Sequence, residues 1–276
     1  MPDTRSTAPG KVILFGEHAV VYGRPAIAVP VTQVQATATV EDSQRPGVHL
    51  FAPDLGLAYD LAGAAADDPL AAAVRLVQQA TGLASLPALT ITLRSTIPIA
   101  GGMGSGAATA AAVIRALALH LGRPDLAHDE QVSALTYQVE QLHHGTPSGI
   151  DNTVVSYGRP VYFVRQQPTN RIETFAVATP LRLLVGDTGV RSSTKVVVGD
   201  VRRQWQADPE HFEALFDGCG RIAVAARSAI EQGDLAELGQ LMNENHRLLV
   251  AMTVSSPELD RLVEAAVAAG AVGAKL

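Results

Sequence analysis

Cysteine is nearly missing from this 276-residue chain, which holds one, Cys219. A single thiol excludes an intrachain disulfide and a thiolate metal cluster, and it suits a reducing cytoplasm, the expected location. Long apolar runs are missing too. No stretch approaches the ~18 apolar residues that a membrane-spanning helix needs, and the opening MPDTRSTAPGK lacks the apolar core of a secretory signal. Basic blocks are short. Lys and Arg total 21 against 27 Asp and Glu, a formal charge of -6, and no Lys/Arg run exceeds a pair. That balance excludes nucleic acid or an anionic membrane as the main partner. Tandem repeats and disordered low-complexity tracts are absent as well.

What is present is enough for one or two sizeable cores, with 47% hydrophobic and 17% charged residues. KVILF (11–15), AIAVPV and VQATATV read as strands, DSQRPG as a turn, and VHLFA as a returning strand. The run 69–81 predicts a helix that starts on Pro69 and stops at Gly82. ALTITLRS is a further strand, and 129–145 an amphipathic helix ended by Gly145. TPSGID reads as a loop, with TVVSY, PVYFV and LRLLVGD (181–187) strand-like after it. Three helical patterns then follow in succession, PEHFEALFDGCGRIAVAARSAIEQG, LAELGQLMNENHRLLVAM and SPELDRLVEAAVAAG. The composition shift near Phe175 to Pro180 predicts an N-terminal domain over 1–178 and a C-terminal domain over 179–276.

The stretch STIPIAGGMGSGAATAAAVIRALALHLG changes character in its middle, from strand end to alanine-rich helix. A helix N-terminus offers unpaired N–H groups and the positive end of the helix dipole, and glycines let the backbone wrap closely around an anion. The loop from Ala100 to Gly106, opening a helix at Ala107, therefore has the build of a phosphate site. It is not a P-loop, since no Lys-Ser or Lys-Thr closes it, and a tight, closely packed strand-to-helix turn has the same composition. Two other stretches stand out. APGKVILFGEHAVVYGRPAIAVPV puts Lys11 at a strand start and Glu17 and His18 in a glycine-flanked turn. EQLHHGTPSGIDN ends a helix at Gly145 and presents Asp151 in a Gly/Pro/Ser loop. Taken singly, a solvated lysine, a turn aspartate and histidines at a helix end are ordinary.

Together, PGKVILFGEHAVVYG, GGMGSGAA and HHGTPSGIDN resemble three sequence blocks of the mevalonate kinase family, within the galactokinase, homoserine kinase, mevalonate kinase and phosphomevalonate kinase (GHMP kinase) superfamily. DTGVRSSTKVVVGDV resembles a fourth, and all stand in family order. The resemblance implies an α+β, two-domain GHMP kinase fold: an N-terminal ribosomal-protein-like α+β domain, a C-terminal α/β domain and the active site between them. It implies transfer of a phosphoryl group from ATP, with Mg2+, to the 5-hydroxyl of mevalonate. Asp151 and Lys11 match the catalytic pair, and Gly101, Gly102, Met103, Gly104, Ser105, Gly106 and Ala107 match the nucleotide loop. Glu140 and Ser105 match the magnesium site; Glu17, His18, Ser148, Asp151 and Thr194 match the mevalonate side. On this reading, a side chain added at Gly104 clashes on the nucleotide side. The implied partners are mevalonate and ATP; a homodimer is compatible with the sequence, which does not reveal the oligomeric state.

There are departures from the family pattern. The loop usually reads Gly-Ser-Ser, with the second serine helping to hold magnesium; that position is Gly106. A usual proline-arginine pair stands as Arg191-Ser192, so Arg191 takes no role by column matching. The sequence stops at AGAVGAKL, where the family continues into a glycine-rich loop, and truncation is the expectation. Two other readings stay open: a sister enzyme such as phosphomevalonate kinase or another small-alcohol kinase, and a catalytically silent ligand-binding regulator. The latter predicts loss of Lys11, Glu140 or Asp151, and all three are present.

Overall fold

The computed structural model describes residues 3–98, 102–144, 147–190 and 194–276. In chain order its elements are β1 (Thr4–Phe15), β2 (Ala26–Asp42), β3 (Val48–Ala52), β4 (Leu57–Asp60), α1 (Pro69–Thr81), β5 (Leu89–Ser95), α2 (Ser105–His120), α3 (Asp129–His144), α4 (Ile150–Tyr157), β6 (Val161–Val164), β7 (Arg171–Thr174), α5 (Thr194–Ala207), α6 (Pro209–Gln232), α7 (Leu235–Ala251) and α8 (Pro257–Ala268). The class is α+β, as expected. Two compact units form, each from two chain segments: Met1–Val12 with Pro30–Arg159, and Ile13–Val29 with Pro160–Leu276.

In the first unit, the end of β2 pairs antiparallel with β5, from Ala36 opposite Ser95 to Asp42 opposite Leu89. β5 runs parallel to β3, and β3 turns back on β4. The inward residues alternate as a half-buried sheet requires: Ala36, Ala38 and Val40 on β2, Leu89, Ile91 and Leu93 on β5. Helix α2 is buried nearly all round, because Ala107, Ala108, Ala110, Ala111, Ala112 and Ala116 let neighbours approach from every side. α1, α3 and α4 pack against it. The helix predicted over 69–81 forms with those bounds; Asp68 caps it by accepting from Ala71 N at 2.7 Å.

In the second unit, Ala26–Ala28 of β2 pair with β6, and β6 pairs with β7. α6 packs on α5, α7 and a 3-10 turn, Ala19–Tyr22. Ala19, Phe212, Phe216, Leu249 and Met252 form the core there, with Tyr22 and Leu276 packed against it. The Tyr22 and Phe216 rings stack at 4.1 Å between centroids.

Three readings of the local sequence need correction. AIAVPV and VQATATV are one strand, β2; Pro30 falls between the residues paired with β6 and those paired with β5. TVVSY belongs to helix α4, where Ile150 and Val154, one helical turn apart, are both fully buried. LRLLVGD forms no strand: 181–187 has no regular structure and Leu184 is 95% exposed. A strand needs a neighbour to satisfy its backbone, and among the described residues this segment has none. No helix among the described residues is long and apolar enough to cross a membrane.

Candidate active site

Lys11 sits in β1, and its backbone N–H donates to the Met103 carbonyl at 3.0 Å, so the strand holds the glycine loop from below. The side chain then runs past Gly104. A Cβ there would lie 2.9 Å from Lys11 Cγ and 3.0 Å from Cε, and Gly104 has φ +69°, a conformation that side chains rarely adopt. The lysine, not only a ligand, thus requires this glycine. The clash expected on the nucleotide side falls first on Lys11.

The Lys11 ammonium ends 2.9 Å from Asp151 Oδ1. Asp151 is the second residue of α4, and its neighbours fix it on both sides. Ile150 N donates to Ser148 Oγ at 3.3 Å before it. After it, Asn152 Nδ2 donates to Ser133 O at 3.1 Å and to Ser133 Oγ at 2.9 Å, tying α4 to α3. Thr153 Oγ1 donates to Gly149 O at 2.7 Å. α3 also carries Glu140, which is buried. Burial first, and then the Asp151 carboxylate, push the Glu140 carboxyl up to about 7, with Lys11 acting against them. A buried carboxyl whose charge is opposed by a neighbouring carboxylate is a receptive place for a divalent cation. Among the described residues, no three His, Cys, Asp or Glu side chains form a cage of their own. Magnesium bound by one or two carboxylates plus phosphate oxygens fits such a site.

Above this pair, Gly104 caps α2 and accepts from Ala108 N at 2.9 Å. The helix begins at Ser105, earlier than the expected Ala107. The N–H groups of Ser105, Gly106 and Ala107 precede the first helical bond and stand at the open end of α2. Among the described residues, a Cβ on Gly102 or Gly106 would meet nothing within 4 Å. Gly101 lies outside the described residues, as do Arg191 and Ser192.

The first unit therefore brings Lys11, the loop 102–107, Glu140, Ser148 and Asp151 together. Glu17, His18 and Thr194 belong to the second. Thr194 opens α5. The Glu17 carboxylate is paired with the Lys275 ammonium and accepts from Asn245 Nδ2 at 3.0 Å. His18 has φ 58° and ψ -49°, unusual for a non-glycine residue. Burial lowers its imidazole to about 4, so the ring is neutral at pH 7. The residues missed by sequence reading are Ser133 and Asn152, which tie the helices, and Asn245 and Lys275, which hold Glu17. Asn152 follows Asp151 directly and was open to notice. Lys275 gave no local signal, because its partner lies near the other end of the chain.

Similarity to known proteins bears on the family. The profile of the GHMP kinases N terminal domain matches residues 69–159, and that of the GHMP kinases C terminal domain matches 226–276. A mevalonate kinase of Pyrococcus horikoshii is 35% identical over 294 residues, covering 98% of this chain and 84% of that protein. One from Aeropyrum pernix is 35% identical over 280 residues, covering 99% of this chain and 84% of that protein. The crystal structure of L. major mevalonate kinase in complex with R-mevalonate superposes with a TM-score of 0.80 at 32% identity, covering 99% of this chain and 82% of that one. With the glycine loop, the Lys11–Asp151 pair and Glu140 in one unit, these likenesses place the chain in the mevalonate kinase family of the GHMP kinases.

Proposed function

We propose that this protein transfers the γ-phosphoryl group of ATP to the 5-hydroxyl of mevalonate, giving 5-phosphomevalonate. The observation that carries the reading is the 2.9 Å contact of Lys11 with Asp151, beside a buried Glu140 and under an open helix N-terminus. Phosphoryl transfer passes through a loose transition state with charge spread over the phosphoryl oxygens, so positioning and charge stabilisation dominate. Asp151 accepts a hydrogen bond from the substrate hydroxyl and takes its proton as the oxygen attacks. Lys11, 2.9 Å from Asp151 Oδ1, orients that carboxylate and offsets the charge that develops on the attacking oxygen. Backbone N–H groups of Gly102, Met103, Gly104, Ser105, Gly106 and Ala107 hold the phosphates. Magnesium, when bound, neutralises phosphate charge; Glu140 and Ser105 are the residues that would hold it, with Gly106 supplying no hydroxyl. Ser148 of the first unit is matched to mevalonate; in the second unit His18 and Thr194 are so matched, and Glu17, its carboxylate held by Lys275 and Asn245, acts through its neighbour His18. Work in the cytoplasm agrees with one buried, free cysteine.

The test is a coupled assay of the purified protein with ATP and magnesium against mevalonate, phosphomevalonate, galactose and homoserine. Turnover of mevalonate far above the other three is expected. Preference for any other alcohol would overturn the substrate, and no turnover of any would favour a silent regulator.

A further inference from the structure

The second unit contains its own buried lysine and carboxylate. Lys275 is 5% exposed and Glu17 13% exposed at the side chain, and the two are paired. The way Lys275 reaches Glu17 is specific. One face of α7, spaced i, i+4, i+7, reads the backbone of the segment after α8. Gly239 lies against Val272 and Gly273 so closely that a Cβ on Gly239 would overlap the Val272 carbonyl, and one on Gly273 would overlap the Gly239 backbone. Asn243 Oδ1 accepts from Ala274 N at 3.0 Å, and His246 Nδ1 accepts from Leu276 N at 3.4 Å. The segment is thus set in register on α7, with Leu276 packed on the core that holds Ala19. From the same helix, Asn245 takes the other Glu17 oxygen. Both oxygens of the carboxylate are committed, so Glu17 has little left for a ligand.

The residue after Glu17 is His18, in its unusual positive-φ conformation. Such a backbone persists only where surroundings over-determine it. Hydrogen bonds from Ala19 N to Glu17 O at 2.6 Å and from Val20 N to Gly16 O at 3.0 Å close the turn on the inside. The Glu17 carboxylate, held by Lys275 and Asn245, anchors the residue that directly precedes His18. We propose that Lys275 is a positioning residue: with Asn245 it pins the Glu17 carboxylate, and through it fixes the turn that presents His18 to the alcohol substrate. The proposal rests on the placement of His18 on the mevalonate side. Burial alone pushes the Lys275 ammonium down to about 7, and the carboxylate against it favours the charged form.

The test uses the full chain with Lys275→Met, Glu17→Gln/Lys275→Met and His18→Gln. Lys275→Met leaves Glu17 buried without its cation, so a lower Tm is expected. The double variant removes both charges and should recover most of that Tm. Both are expected to raise KM for mevalonate about tenfold or more while KM for ATP stays within about twofold, a split that general loosening would not give. A folded Lys275→Met with unchanged mevalonate KM overturns the proposal. So does a double variant that melts as low as the single one. If Lys275→Met does not fold, the double variant carries the same KM comparison. His18→Gln separates the underlying placement: if it leaves mevalonate KM unchanged, His18 is not on the substrate side. The imidazole NMR resonances of His18 then decide, since displacement by Lys275→Met upholds the brace and unchanged resonances overturn it.

Discussion

Each unit of the molecule buries one lysine against one carboxylate, and the two pairs are built for opposite ends. In the first, Asp151 keeps 30% of its side chain exposed, sits at the start of a helix and opposes the charge of a second, buried carboxyl, Glu140. In the second, Glu17 is nearly closed off, and an amide occupies the oxygen that the lysine leaves. On the proposed function, the open pair has capacity to spare for a hydroxyl, a cation and a phosphoryl group. The closed pair has none. A buried ion pair alone is weak evidence of catalysis; unspent hydrogen-bonding capacity beside the glycine loop is what separates a reactive pair from a brace.

The largest effect that could break this comparison is at Asp151. Asp151→Asn keeps shape and removes the proton acceptor, so kcat should fall by about 10²- to 10⁴-fold while melting and ATP affinity hold. Near wild-type kcat in a folded preparation would put Asp151 in the same class as Glu17.

Next is Gly104. Its Cβ lands on the Lys11 side chain, so Gly104→Ala should displace the ammonium and cut kcat about tenfold or more, beyond a cost of about 1–2 kcal/mol for the left-handed backbone. Calorimetric titration with ATP separates this from a phosphate-loop defect. Lost ATP affinity with kcat intact would return Gly104 to the nucleotide alone.

The smallest effect is in pH, where the regions should pull in opposite directions. Glu140 has a folded value of about 7 against 4.5 unfolded. Between these the folded state holds a proton that the unfolded state lacks, so its contribution to stability falls as pH rises from 4.5 to 7. His18 has a folded value of about 4 against 6.5. There the unfolded state holds the extra proton, and the contribution rises with pH from 4 to 6.5. In the wild type the two trends offset. Glu140→Gln should unmask a Tm that climbs over pH 4.5 to 6.5, and His18→Gln one that declines, each on the order of a few degrees. Glu140→Gln should also raise the magnesium requirement, and the wild-type requirement should grow about tenfold per unit below pH 7, as the carboxyl takes a proton in the cation's place. A magnesium titration identical in Glu140→Gln and wild type would leave Glu140 as an interior group only.

Much of this was legible in the sequence where the signal is local. Pro69 and Gly82 bracket α1, alternation marks β5, and the glycines before an alanine helix mark the loop. Lys11, Glu140 and Asp151 come from three separate segments, and motif resemblance, not periodicity, was needed to bring them into one site. TVVSY misleads because β-branched residues suit strands, while the packing of Ile150 and Val154 makes it helix. LRLLVGD misleads because an apolar run shows what a segment could pair with, never whether the partner is there. The Lys275–Glu17 brace was illegible for a plainer reason: ion pairs between distant segments leave no spacing to read.

Gly239 and Gly273 have a consequence for how this sequence can change. Each backbone occupies the space the other's side chain would need. Neither can be replaced first and compensated later, because the second replacement adds bulk to the same point. A saturation-mutagenesis map should therefore show two blank columns far apart in the chain and away from the glycine loop. Judged by intolerance alone, they would pass for catalytic residues, although all they guard is the route by which Lys275 arrives.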